Sequence, residues 1–320
     1  MDTSMLPVYA RAIRGVLPGG RKQSSAHTPS RTVTTTHHMA AEAVAGFQRV
    51  LGARVQDRVP AAYLHVLGFP SGMRLMTDPG FPLPVLGMVH VENTFRHLRP
   101  VSIGDTVRVD VKLGRLREHP KGTTVTLEVT GVREGAVADG AGGQGSSGAG
   151  ETVFEEVVTY LAKGTTLPGV APALPGERTD FTAPDVPHAL WKLAPEIGPR
   201  YAAVSGDHNP IHLNSVAAKA FGFPRTIAHG VYTAARGLEA SGALPDAFEW
   251  TVQFAKPVVL PATVAFGSWS AVGRGTGVAD AASTGSDSAS GGPLSRDYAV
   301  WNPKNGKPHV VSHVAGIEVS

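Results

Sequence analysis

The chain has 320 residues, 42% of them hydrophobic and 17% charged, with a formal net charge of +3 and no cysteine. That composition excludes disorder throughout, and the missing thiols exclude disulfides, thiolate catalysis and cysteine-ligated metals. The scattered Lys and Arg, with no dense block, argue against nucleic acid as a partner. No apolar run reaches the roughly 18 residues of a membrane span, the N-terminus lacks the pattern of a secretory signal, and a cytoplasmic enzyme is the expected class.

Two domains are expected at this length. Leu6–Leu17 is amphipathic and basic, and reads as a frayed or docking helix. His37-His38, in a Thr-rich stretch, reads as a polar loop and not as a ligand pair. Ala61–Met76 is an apolar helix candidate, and Val107–Leu113 and Thr123–Val132 alternate as strands. The run from Thr94 to Val107 is repeated by Val252 to Val264: each reaches Pro-Val and resumes at Thr-Val after the same spacing, Pro100 to Thr106 and Pro257 to Thr263. A strand that breaks at proline and restarts predicts a bulge or kink at a sheet edge. The second copy has its own helix candidate, Val231–Ser241, and its own strands at Val264–Val272, Tyr298–Trp301 and His309–Val319.

Gly135–Gly150 and Gly273–Gly292 interrupt the two copies at similar places and read as hairpin extensions. Thr165–Pro187, rich in proline, is the natural linker. The organisation expected is therefore a first domain over 1–165, a linker over 166–187 and a second domain over 188–320. The fold class is α+β: two curved antiparallel sheets, each wrapped around a helix.

Tyr201 to Asn214, Y-A-A-V-S-G-D-H-N-P-I-H-L-N, is the most informative segment. Asn209 is a preferred N-cap and Pro210 suits the first helical position; Val216–Phe221 is expected to continue that helix and Gly222 to stop it. Asp207 then lies just outside the helix and His212 in its first turn, two titratable groups of different natural pKa at one helix start. Such a pair suits moving a proton on and off one water molecule.

Tyr201–Ala218 resembles the signature of the MaoC-like dehydratases, or (R)-specific enoyl-thioester hydratases: an aromatic residue, S-G-D-x-N-P-[IL]-H, then an Ala-rich helix. Ala220–Gly230 and Gln253–Val264 are similar to that family too. The first half resembles, more loosely, the N-terminal domain of double-hotdog members such as actinobacterial 3-hydroxyacyl-thioester dehydratases, through Leu64–Pro70 and Gly87–Asn93. The resemblance implies two hotdog folds in tandem, no cofactor, and reversible syn hydration of a trans-2-enoyl thioester to an (R)-3-hydroxyacyl thioester. The stretch near His37–Gly52, where the first half's copy of the motif belongs, lacks S-G-D-x-N-P-x-H. That half is thus expected to be non-catalytic and to shape the acyl pocket.

Within this frame Asp207 and His212 share acid/base duty on a water, and the Gly230 N–H, opening the second-half helix, serves as oxyanion hole. Ser205 and Asn209 orient Asp207 and close the turn, and Gly206 serves a backbone need. Tyr201 either lines the pocket or packs in the core; His229 either touches substrate or bonds to backbone. Asp207, His208 and His212 superficially resemble a metal site, but Pro210 puts His208 before the helix and no third ligand sits at convincing spacing, so no metal is expected. The alternatives are a hotdog acyl-thioesterase and a non-catalytic acyl-binding module. Coenzyme A and acyl carrier protein are equally open as thioester partners, with Lys219, Arg225 and Lys256 as nearby cations, and a homodimer remains open.

Overall fold

Strict alternation builds the sheet. Val107, Val109, Val111 and Leu113 point inward on one strand and Val125, Leu127 and Val129 on the next, with polar residues between them, the period-2 pattern of a strand with one face in the core. The computed structural model describes residues 30–135, 150–174, 180–271 and 294–319. Its strands are β1 (Thr32–His38), β2 (Val89–His97), β3 (Thr106–His119), β4 (Gly122–Arg133), β5 (Glu151–Lys163), β6 (Ala189–Leu193), β7 (Phe248–Phe254), β8 (Ala262–Ser270), β9 (Ser295–Trp301) and β10 (Pro308–Gly316). Its helices are α1 (Ala41–Leu51), α2 (Ala61–Met76), α3 (Ile197–Ser205), α4 (Pro210–Leu213), α5 (Ser215–Ala220) and α6 (Gly230–Ala240). Leu6–Leu17, most of the two glycine-rich segments and part of the linker lie outside the described residues.

All ten strands form one antiparallel sheet in the order β1-β3-β4-β5-β2-β7-β10-β9-β8-β6. Read outward from the middle, each half has the same order, and β2 and β7 join the halves. In that central pair Thr94 lies opposite Thr251, and the offset that aligns Pro100 with Pro257 also aligns these two threonines. An approximate two-fold axis therefore passes between them. This is the tandem hotdog arrangement, with α2 and α6 as the two wrapped helices.

Glycine sets how closely each helix approaches its strands. A Cβ on Gly72 would sit 2.6 Å from Leu127 Cδ1, and one on Gly237 2.4 Å from Tyr298 Cε2. A single core spans both halves: Phe95 stacks on Phe154 with centroids 5.2 Å apart and meets Trp250 across the central pair at 6.4 Å. Trp250 Nε1–H reaches Tyr298 Oη and Ser312 Oγ, each at 2.9 Å, so the indole's one donor is not buried unpaired.

Two expectations need correction. Pro100 and Pro257 mark no kinked edge strand: they sit in the connections after β2 and β7, the central strands, whose successors β3 and β8 lie elsewhere in the sheet. His37-His38 closes a strand and not a loop, because the β-branched threonines before it pair along β3, Thr34 with Asp110 and His38 with Thr106. Among the described residues no helix is long and apolar enough to cross a membrane.

Candidate active site

The site is assembled around the C-terminus of α3. Gly206 takes the left-handed conformation there (φ 74°) and its N–H bonds the Ala202 carbonyl, the stop that glycine supplies without strain. The reversed chain then locks itself by short bonds. The Asp207 N–H donates to Ser205 Oγ (3.2 Å), and the Asn209 N–H donates to Asp207 Oδ1 (3.0 Å). Asn209 Oδ1 accepts the Ile211 N–H at 3.3 Å and so caps α4, with Pro210 first in the helix.

The helix does not run on as expected. Asn214 is extended (φ −139°, ψ 125°), and its side chain accepts from the Val216 and Ala217 N–H groups, starting α5 afresh. Asparagine competes for backbone donors and favours caps over helix interiors, so the single helix becomes two short ones. Gly222 (φ 84°) follows the end of α5. One requirement was not visible in the motif: a Cβ on Gly198 would lie 2.1 Å from the His212 carbonyl oxygen. Only glycine lets α3 and α4 touch backbone to backbone at that point.

His212 is buried, and its Nδ1–H donates to the Ile227 carbonyl at 2.8 Å. With that proton committed, the neutral ring carries its lone pair on Nε2, which faces Asp207 Oδ2 at 3.9 Å. His229 is 3% exposed; its Nε2–H donates to the Asp207 carbonyl (3.0 Å), and Nε2 lies 3.7 Å from Asp207 Oδ2. The two imidazoles stack with centroids 3.7 Å apart. Burial lowers the His212 pKa, against the opposing Asp207 charge and Ile227 carbonyl. Burial, then the His212 ring, push His229 down to about 3. Both rings are neutral near pH 7, beside a carboxylate whose side chain is 23% exposed.

His229 reaches this place through long-range pairing. Ile227 bridges to Val259, and the Ala228 N–H bonds the Val258 carbonyl, so the loop before α6 is held by the loop before β8. Gly230 is the first residue of α6 and is exposed. First-turn N–H groups have no acceptor inside their own helix, and a Cβ there would stand 3.0 Å from the Phe254 ring. Tyr201 is in the core, with its ring 4.9 Å from His229 and 5.8 Å from Phe47. Burial, then the Asp207 charge, raise its pKa, and its hydroxyl has no partner among the described residues.

Residues from the first half also border the site. Tyr160, on β5, has its pKa raised by burial and then by the charges of Asp207 and Glu156. The His90 ring lies 5.1 Å from Tyr160 and 4.5 Å from Phe254. Tyr160 carries no local sequence signal and the Gly87–Asn93 resemblance gives His90 no role; the sheet order brings both toward Asp207.

Sequence spacing points to no third ligand beside Asp207 and His212, yet ligand-type atoms of Asp207, His212 and His229 lie within 4.8 Å of one another. His208 precedes α4 and is not in that group. The donor chemistry fits a metal poorly, because His229 Nε2 carries the hydrogen donated to Asp207, and a ligand nitrogen must offer a lone pair there.

The model of the MaoC-like domain family matches residues 184–281. The chain is 36% identical over 309 residues to 3-hydroxyacyl-thioester dehydratase X of Mycobacterium tuberculosis, covering 96% of each protein. It resembles the crystal structure of HtdX from that organism with a TM-score of 0.67 at 33% identity, over 90% of this chain and all of the other. A MaoC-like dehydratase from Phytophthora capsici shares the fold, with a TM-score of 0.64 at 18% identity over 91% of this chain and 96% of that one.

Proposed function

Because the chain belongs to the MaoC-like dehydratases, we propose that it adds water reversibly to a trans-2-enoyl thioester, giving an (R)-3-hydroxyacyl thioester, at Asp207 and His212. It is an enzyme of the hydratase–dehydratase class acting on acyl thioesters. The reading rests on one observation: Asp207 Oδ2 and His212 Nε2 stand 3.9 Å apart, too far to bond directly and close enough for one water to bridge.

In the hydration direction that water donates one hydrogen to the carboxylate and one to the bare Nε2. One O–H bond breaks as the oxygen bonds to C3, and the proton taken by the dyad is returned to C2, so the pair ends as it began. Charge growing on the thioester oxygen meets the Gly230 N–H at the positive end of α6, an interaction of a kind worth about 3 kcal/mol of barrier. Ser205, Gly206 and Asn209 hold the turn that aims Asp207, and His229 and Tyr201 wall it in. Residues 188–320 form the catalytic domain in this reading. Residues 1–165 lack the S-G-D-x-N-P-x-H motif and shape the acyl pocket, and residues 166–187 link the two.

The test follows enoyl-thioester absorbance with crotonyl-, decenoyl- and longer-chain CoA and with acyl carrier protein thioesters, the two products resolved by hand. We expect (R)-3-hydroxyacyl product and a loss of about 10²–10⁴ in kcat for Asp207→Asn. Near-full activity in a correctly folded Asp207→Asn enzyme removes the mechanism, and release of free thiol instead of hydration marks a thioesterase.

A further inference from the structure

A second buried polar group lies in the wall that the first half contributes, away from the dyad. Glu156, on β5, is 3% exposed. Its Oε1 accepts from His65 Nδ1–H at 2.5 Å and from Asn93 Nδ2 at 2.8 Å. Its Oε2 is buried with no partner among the described residues, and so are Asn93 Oδ1 and His90 Nε2. Buried acceptors are almost always paired, and an unpaired carboxylate oxygen is costly to keep.

Glu156 and His65 line a small cavity with Phe69, Val129, Val158 and Tyr160. Its volume is about 10 Å³, room for one water-sized group. Tyr160 ties this cavity to the dyad, since it borders the cavity and feels the charges of both Asp207 and Glu156. From Gly230 the wall continues through the Phe254 ring to His90, and from His90 to Tyr160. These contacts place the cavity along one wall from Gly230, with an acceptor and not a hydrophobe at its far end.

We propose that this cavity is a specificity site in which Glu156 accepts a hydrogen bond from a hydroxyl at the far end of the acyl chain. The size admits a hydroxyl and little more, and an unpaired carboxylate oxygen asks for a donor. A methyl terminus of the same length leaves Oε2 desolvated and unpaired, and a site built to bond a hydroxyl rejects the analogue lacking it far more strongly than a hydrophobic pocket rejects an added group. This inference rests on the proposed hydratase activity.

The experiment compares pairs of trans-2-enoyl-CoA substrates matched in length, one ending in methyl and one in hydroxyl, over a stepped series of lengths. At the length that reaches Glu156 the hydroxyl-tailed substrate should have the higher kcat/KM by about tenfold or more, and Glu156→Leu, which leaves no hydrogen-bonding group there, should abolish that preference. A methyl preference at every length in the wild-type enzyme overturns the proposal, as does a hydroxyl preference unchanged by Glu156→Leu. The wild-type comparison stands whether or not the variant folds. The methyl-tailed substrates separate the two readings: turnover of them without any hydroxyl preference sinks only this one, and no turnover of any enoyl thioester, on CoA or acyl carrier protein, sinks both.

Discussion

The two halves place very different chemistry at equivalent positions. In each, a first strand leads to a helix ended by a left-handed glycine, Gly52 (φ 72°) after α1 and Gly206 (φ 74°) after α3. In each, the chain then travels to the wrapped helix, α2 or α6. In the second half that journey, residues 207–229, carries Asp207, His212 and His229. In the first it is cut to residues 53–60, and a buried amide fills the place. Gln48 Nε2 donates to the Gln56 and Arg58 carbonyls, both at 3.0 Å, and its Oε1 accepts the Gln56 N–H at 3.2 Å. One place satisfies its polar atoms internally; the other keeps His229 Nδ1 and the Tyr201 hydroxyl without partners. The architecture occurs twice, and the longer connection alone brings Asp207, His212 and His229 together. The difference at these two connections is whether the polar atoms are satisfied internally.

The contrast breaks most sharply by truncating the two sites. His212→Ala should lower kcat by about 10²–10⁴ with a modest change in Tm. Gln48→Ala should do the reverse, costing about 3 kcal/mol by leaving backbone groups unpaired, with kcat of the folded fraction unchanged. Steady-state kinetics beside thermal melts read both effects. A Gln48→Ala enzyme that is stable but inactive would mean that the first half takes part in the chemistry.

The next effect tests how His212 is held. Gly198→Ala drives a methyl group against the His212 carbonyl, so α4 must shift away from α3. A misplacement of this kind is known to cost up to about 10²-fold, and a fall in kcat of at least tenfold is expected, with KM less affected. Unchanged kcat would show that the dyad tolerates movement of its helix.

What was legible in the chain follows from how local each cause is. Gly206, Asn209 and Pro210 act through their own backbone within a few residues, so the turn holding Asp207 and His212 could be read directly. The helix expected to continue through Val216–Phe221 is interrupted because Asn214, a side chain capable of capping, starts another. His229 was assigned two uses and no place, because its position depends on the pairing of Ile227 with Val259, which no local pattern announces. Tyr160 and His90 gained no role from the sequence for the same reason: β5 and β2 meet the second half only through the order of strands. The repeat was seen correctly while its prolines were misplaced, because spacing reveals duplication without revealing which strand lies in the middle.

Acid sharpens the comparison further, since each half buries a depressed histidine. His229 is held down to about 3, and His97, on β2, down to about 4, chiefly by burial. In the unfolded chain both protonate near 6.5. Between the folded and unfolded values the unfolded state binds more protons, so stability is full above about 6.5 and falls as pH drops toward 4. The slope should approach about 1.4 kcal/mol per pH unit for each histidine. Buried His90 and His212 are depressed too and add to the slope. Denaturant melts from pH 7 to 4.5 on the wild type and His97→Phe should therefore show the variant losing about one histidine's share, roughly 1 kcal/mol per pH unit. An unaltered slope would mean that His97 does not stay neutral through burial as the fold implies.

The smallest effect belongs to the contact that the short connection makes with the other half. Arg58 donates to Asp246 Oδ1 at 3.0 Å and to the Pro245 carbonyl at 2.9 Å. The Asp246 side chain is 79% exposed. Water and salt screen such a pair, and exposed ion pairs contribute about 1 kcal/mol or less. Arg58→Ala should therefore shift the melting temperature slightly and leave kcat untouched, with the residual effect fading at high salt. A large loss of activity in Arg58→Ala would tie the inert connection to the working site, because nothing in its bonds to Pro245 and Asp246 touches the dyad. That result would undo the division of labour between the halves more directly than any change made at Asp207 itself.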